Sequence, residues 1–194
     1  MSNKPKLLVF AGSLRKDSHN KKLVKIAEAG AREAGADTTY IDLAHLQLPI
    51  YNQDDEDASG LPDGARKLKD LMLNHDGFLI AAPEYNSSIT AALKNAIDWA
   101  SRPAQAEGNL ACFKGKVVGL MSASPGALGG LRGLVHVRAI FNNIFSLVIP
   151  EQVAVSKANE AFADDGSLKD AKQQQAVMDI GRKVAQIAGK LKSP

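Results

Sequence analysis

The nine residues from Gly12 to Asn20, Gly-Ser-Leu-Arg-Lys-Asp-Ser-His-Asn, gather two hydroxyls, an amide and a guanidinium into one short loop. They follow the apolar run Lys6–Ala11 and lead directly into a segment of helical periodicity. A helix N-terminus offers unpaired backbone N–H groups and the positive end of the helix dipole, and both favour an anion. With Ser13, Ser18 and Asn20 as neutral donors and Arg15 as a charged fork, the loop suits capture of a phosphate monoester. Charge-assisted hydrogen bonds contribute about 1.5–3 kcal/mol each, so three or four hold such a group firmly. A plainer reading keeps Ser18 or Asn20 only as a helix cap. Neither GxGxxG nor GxxxxGK followed by Ser or Thr occurs, so a mononucleotide phosphate fits better than a dinucleotide pyrophosphate or a nucleoside triphosphate.

Two further segments carry chemistry. Pro83-Glu84-Tyr85-Asn86-Ser87-Ser88 follows the apolar run Gly77–Ala82. Proline stops a strand and stiffens the turn, Asn86 tolerates an unusual backbone angle, and the peptide N–H groups beyond are free to face a planar heterocycle. Ser87 or Ser88 is placed to cap a helix starting at Ile89. Ser122-Ala123-Ser124-Pro125-Gly126-Ala127-Leu128-Gly129-Gly130 holds three glycines and two serines. Glycines such as Gly126 permit close backbone approach to a ligand, and Ser122 can reach polar ring edges. Taken singly, each segment also reads as an ordinary connection.

These loops need elements to position them. The runs 6–11, 38–43, 77–82 and 116–121, with a fifth strand inside 147–155, are short and apolar, as in a parallel sheet covered on both faces. Between them, 20–34, 63–74, 88–101, 131–146 and 171–191 place apolar residues at helical spacing, with Gly35 closing the first helix. Strands alternating with helices predict a doubly wound α/β sheet of five parallel strands, order 2-1-3-4-5, with helices on both faces. In that topology a ligand lies beyond the carboxyl ends of strands 1 and 3, where the three loops meet. The 194 residues read as a single domain, 1–194, with no repeat and no linker. The segment Gln53–Asp57 reads as a solvated acidic loop.

Composition narrows the chemistry. One cysteine, Cys112, excludes an intrachain disulfide, a CxxC redox pair and a cysteine-held metal cluster, so it reads as a packing residue. His19, His45, His75 and His136 lack metal-ligand spacing, and no metal is expected. A net charge of +3, from 24 basic and 21 acidic residues with no long basic run, argues against nucleic acid. The apolar N-terminal run is too short for a signal peptide or a membrane span. The expectation is a cytoplasmic protein that contacts no membrane, and any redox chemistry must come from a borrowed cofactor.

The motifs GSLRKxSxN after strand 1, PEYNxS after strand 3 with LKNAIDW behind it (Leu93–Trp99), and SxSPGxxGG after strand 4 resemble the NADPH-dependent FMN reductase family. That family is flavodoxin-like and includes bacterial chromate, quinone and azo-dye reductases. The resemblance spans about Lys6 to Val155. It implies that Ser13, Arg15, Ser18 and Asn20 hold the FMN phosphate. It implies that Pro83, Glu84, Tyr85, Asn86 and Ser87 line the isoalloxazine ring, largely through main-chain atoms. It further implies homodimers or homotetramers, with the Leu93–Trp99 helix at the contact. Where chromate-reductase-like members tend to carry tyrosine or glutamine before a His-x-Arg segment, this chain has Leu134-Val135.

The expected activity is hydride transfer from NADPH or NADH to FMN and on to a small-molecule acceptor such as a quinone, azo compound, chromate or free flavin. Ping-pong order follows if both substrates use one flavin face in turn. No side-chain nucleophile or triad is expected, because the cofactor carries the chemistry. Lys16, Lys114, Arg132 and Arg138 are candidates for the NADPH 2′-phosphate. The rival readings are an electron-carrying flavodoxin that does not itself oxidise NAD(P)H, and a flavin-free regulatory protein. Flavodoxins are usually acidic, with aromatic side chains around the ring, whereas this chain is basic and 5% aromatic.

Overall fold

The computed structural model describes residues 4–104 and 107–192. Five parallel strands form one sheet: β1 (Lys6–Ala11), β2 (Asp37–Tyr40), β3 (Gly77–Ala81), β6 (Val117–Ala123) and β7 (Leu147–Val155). Their order is β2-β1-β3-β6-β7, the predicted 2-1-3-4-5 arrangement once a small hairpin is set aside. That hairpin pairs β4 (Glu84–Tyr85) with β5 (Ser88–Ile89).

Side-chain alternation along the central strands builds two cores. Leu7, Val9 and Ala11 of β1 face one side with Leu79, Ala81 and Met121, beneath α1 (His19–Glu33) and α7 (Ala171–Lys192). Leu8 and Phe10 face the other side with Phe78, Ile80 and Leu120, beneath α3 (Asp63–Leu73), α4 (Ala91–Ser101) and α5 (Leu131–Asn143). Strands buried on both faces must be apolar at successive positions, which is why the central runs lack a polar alternation. α1 and α7 cross backbone to backbone. A Cβ on Gly30 would stand 2.1 Å from the Met178 carbonyl oxygen, and one on Gly181 would stand 1.8 Å from that of Ala27.

Three local expectations need correction. Gln53–Ser59 is not a loop but a helix, α2, capped by Asn52, whose side chain accepts from the Asp54 N–H. Its three first-turn acids suit the positive end of the helix dipole. Glu56 binds Arg102 at 2.7 Å and Tyr51 at 3.0 Å. The second strand stops at Tyr40, and Leu43–Leu46 forms a 3-10 turn capped by Asp42. The helix after β3 begins at Ala91 and is capped by Thr90, not by Ser87 or Ser88, because Ser88 and Ile89 pair with Tyr85 and Glu84.

Candidate functional site

The crevice lies at the carboxyl ends of β1, β3 and β6, and hydrogen bonds lock its walls together. The Gly12 N–H donates to the Ala81 carbonyl at 2.8 Å, continuing the β1–β3 pairing into the loop. The Thr90 hydroxyl donates to the Gly12 carbonyl at 2.6 Å and accepts from the Leu93 N–H at 3.2 Å, so one residue caps α4 and anchors the Gly12 loop. Sequence reasoning passed over Thr90. Its signal was a threonine directly before Ala91-Ala92-Leu93, the usual place of an N-cap.

Within the Gly12–Asn20 loop the donors divide by role. Ser18, a buried residue, occupies the N-cap position of α1 with extended backbone, yet its hydroxyl makes no capping bond. Ser13 is also buried, and its hydroxyl accepts from the Arg15 N–H at 3.3 Å. Arg15 is exposed, and among the described residues no carboxylate pairs with it. Asn20 is differently engaged. Its amide donates to the Ala123 carbonyl at 2.8 Å and accepts from the Ala123 N–H at 2.9 Å, clamping α1 to the end of β6. What remains for an anion is mainly its first-turn backbone N–H.

The Pro83–Ser87 wall is a two-residue hairpin. Asn86 and Ser87 have φ of 51° and 64°, as a type I′ turn requires at both positions. Serine in that region is strained, a feature that concentrates at ligand sites. Helix α5 braces the turn: Arg132 donates to the Ser87 hydroxyl at 3.1 Å, and His136 Nδ1 stands 2.9 Å from the Ser88 hydroxyl. The Glu84 carboxylate accepts the Gly133 N–H at 2.8 Å and so caps α5, leaving Glu84 only its main chain to offer a ring. Tyr85 is 58% exposed on this hairpin, and Leu14 and Leu128 are exposed in the loops after β1 and β6.

The third wall differs from expectation at Ser122. It is fully buried in β6, and its Oγ would lie 2.0 Å from a Cβ on Gly130, so it sits beneath the loop. Gly129 and Gly130 carry φ of +61° and +92°, which shape the turn into α5. Gly126 lies exposed at the loop's surface, with its N–H directed to the Ser124 hydroxyl at 3.3 Å. Two buried polar atoms here lack a hydrogen-bond partner, His19 Nδ1 and Ser122 Oγ. Burial lowers the His19 pKa, and the Lys22 and Arg15 charges lower it further.

A loop with a hydroxyl at an uncapped helix N-terminus and a strained turn on the neighbouring strand suit a phosphorylated planar ligand. The family description NADPH-dependent FMN reductase matches residues 5–160. The chain belongs to that family. It is 35% identical over 179 residues to a Pseudomonas aeruginosa protein named NAD(P)H-dependent FMN reductase, covering 91% of each chain. It is 36% identical over 177 residues to the quinone reductase of Escherichia coli, covering 88% of each. Among solved structures, the Paracoccus denitrificans flavoenzyme NAD(P)H:(acceptor) oxidoreductase matches with a TM-score of 0.80 and 29% identity, over 96% of this chain and 98% of that one. The family's cofactor is FMN and its reductant NAD(P)H, and the flavodoxin-like fold agrees with the sheet order.

Other candidates fall away from the crevice. Among the described residues no group of three or more His, Cys, Asp or Glu could hold a metal, and no helix is long and apolar enough to cross a membrane. Cys112 is buried in the α3–α5 core, and burial pushes its thiol up. Arg138 is engaged by the Ile149 carbonyl and the Gln152 side chain. Lys114 lines a cavity with Asp76 and Val117 at the amino ends of β3 and β6, the opposite end of the sheet from these loops.

Proposed function

We propose that the chain is an FMN-dependent NAD(P)H oxidoreductase that reduces small acceptors, quinones foremost, with azo compounds, chromate and free flavin as further substrates. The observation that carries this reading is the Gly12–Asn20 loop. Its Ser18 hydroxyl caps nothing and its Arg15 pairs with no carboxylate among the described residues, while Thr90 and Asn20 hold the loop against β3, α4 and β6. Bound FMN supplies hydride chemistry, accepting from the nicotinamide and giving to the acceptor. The protein's own residues bind and orient. Ser13, Ser18, Arg15 and the first-turn N–H groups of α1, including that of Asn20, hold the phosphate.

The main chain of Pro83, Glu84, Tyr85, Asn86 and Ser87, with the Gly126 loop, would line the ring. Ser122 supports that loop from below. Nicotinamide and acceptor would use one ring face in turn, giving ping-pong order. The exposed Leu131 and Val135 on α5 support a homodimer or homotetramer whose partner would cover the ring. The chain acts as one FMN-binding domain in the cytoplasm.

The test is optical. The purified protein reconstituted with FMN should be yellow, bleach on NADPH and recolour on a quinone, with parallel double-reciprocal plots. A protein that cannot be loaded with FMN would sink the reading. Slow bleaching with fast one-electron exchange to a protein partner would replace it with an electron carrier.

A further inference from the structure

Beside the flavin crevice, on its β2 side, lies a cavity of ≈ 530 Å³ between the first turns of α1, the end of β2 and α3. That volume falls in the range of about 300–1,000 Å³ typical of small-molecule sites. Ser13, Arg15, Asn20 and the Pro83–Ser87 turn do not line it, and it shares only Ser18 with the residues assigned to the FMN phosphate. Five lysines line it, Lys16, Lys21, Lys22, Lys25 and Lys67, against Asp17 and Asp42. Five positive and two negative groups leave an excess of three, equal to the net charge of the whole chain.

That charge stands where helix physics disfavours it. Lys21 and Lys22 lie in the first turns of α1, which holds no acidic residue in its first turn. Cations at a helix N-terminus oppose the dipole, so an anion there is favoured. Of these five lysines, Lys21 alone forms an ion pair among the described residues, with Asp42 at 2.6 Å. Burial pushes the Asp42 carboxyl up, yet the hydrogen bonds from Lys21 and Ala44 outweigh it and hold the group below its ordinary value. That pair is a fixed wall. Lys25 lies 5.3 Å over the Tyr40 ring, and Lys16 and Lys67 project exposed. Tyr40, Ile41 and Leu46 supply the apolar part of the remaining wall, beside His45.

We infer that this cavity binds an adenosine phosphate, with the base against Tyr40, Ile41 and Leu46 and the phosphates on Lys16, Lys22, Lys25 and Lys67. Such a group comes either as the adenosine 2′-phosphate end of NADPH or as a free nucleotide. The first source rests on the reductase reading above, and the second does not. Of the four basic residues considered for the 2′-phosphate from sequence, Lys16 alone lines this cavity.

Titration calorimetry of the FMN-loaded protein with 2′,5′-ADP at low salt tests the inference. Saturable binding is expected, one site per chain, with pyrophosphate bound far more weakly. Lys25→Gln with Lys67→Gln should weaken 2′,5′-ADP about tenfold, the combined effect of two exposed ionic contacts, while FMN content stays unchanged. A rise in KM for NADPH but not NADH in that variant identifies the cofactor as the source. Unchanged KM for both, with 2′,5′-ADP binding lost, identifies a free nucleotide.

No heat of binding with 2′,5′-ADP at millimolar concentration, undiminished binding in the double variant, or pyrophosphate binding as tight as 2′,5′-ADP would each overturn the site. Heat is read independently of turnover. A protein that binds 2′,5′-ADP but never bleaches with NADPH would therefore fail the reductase reading alone.

Discussion

At the scale of single residues, the crevice separates groups that bind from groups that position. Asn20 and Ser18 stand two positions apart and are both buried, but only Asn20 is tied to protein. Asn20→Ala leaves the Ala123 N–H and carbonyl without their partner. Stranding buried polar groups costs about 1–3 kcal/mol each, so urea unfolding of the apoprotein should show a loss of about 2–4 kcal/mol. Ser18→Ala removes no hydrogen bond from the empty protein and should change apoprotein stability by less than about 0.5 kcal/mol. The same change should weaken FMN several-fold. Arg15→Ala should raise the FMN dissociation constant about tenfold, since an exposed charge-assisted bond falls at the lower end of its range. Recovery of flavin fluorescence on dilution measures both. If Ser18→Ala unfolds the protein and Asn20→Ala does not, the division of roles is reversed.

At the scale of elements, the strands and long helices were legible because the central strands are buried on both faces and the helices carry one apolar stripe. The misses share a physical origin. The β4–β5 hairpin has two-residue strands, too short for any periodicity, and its turn uses Asn86-Ser87 where Asn-Gly would have announced it. Helix α2 buries none of its residues, so no apolar face marks it, and only the Asn52 cap and three acids gave a sign. The donor types of the Gly12–Asn20 loop were readable from sequence, but which of them the protein itself consumes was not. The partner of Asn20 lies 103 residues away.

The hairpin supports a direct test. Ser87→Gly relieves a left-handed serine and supplies the preferred turn, against loss of one exposed bond from Arg132. The expected outcome is a gain of up to about 1 kcal/mol in apoprotein stability, read by thermal unfolding. A loss of similar size would mean that the Arg132 contact, and not turn strain, dominates this wall.

At the scale of the whole molecule, the edge strand β2, helix α3 and the start of β3 meet at one buried histidine. His75 Nδ1 lies 2.5 Å from the Leu71 carbonyl, which only accepts, so Nδ1 carries the proton. Its Nε2, 2.9 Å from the Thr39 hydroxyl, is then the acceptor. Burial lowers the His75 pKa; the Lys6 and Lys116 charges act in the same direction, while the Leu71 bond and Asp76 oppose them without reversing it. A folded pKa below the unfolded value of 6.5 means that the unfolded chain takes up the proton first.

The stability contributed by neutral His75 is therefore complete above pH 6.5 and is lost as pH falls through the folded pKa. The wild-type melting temperature should fall between about pH 7 and pH 5, with an uptake of protons on unfolding. His19 shifts in the same direction in the empty protein, so His75 has to be isolated by difference. His75→Gln should melt lower than wild type at pH 7 because it fits the two partners less well, and its melting temperature should depend less on pH across that window. If both proteins lose stability in parallel as pH falls, His75 does not titrate within the fold and the acid sensitivity lies elsewhere.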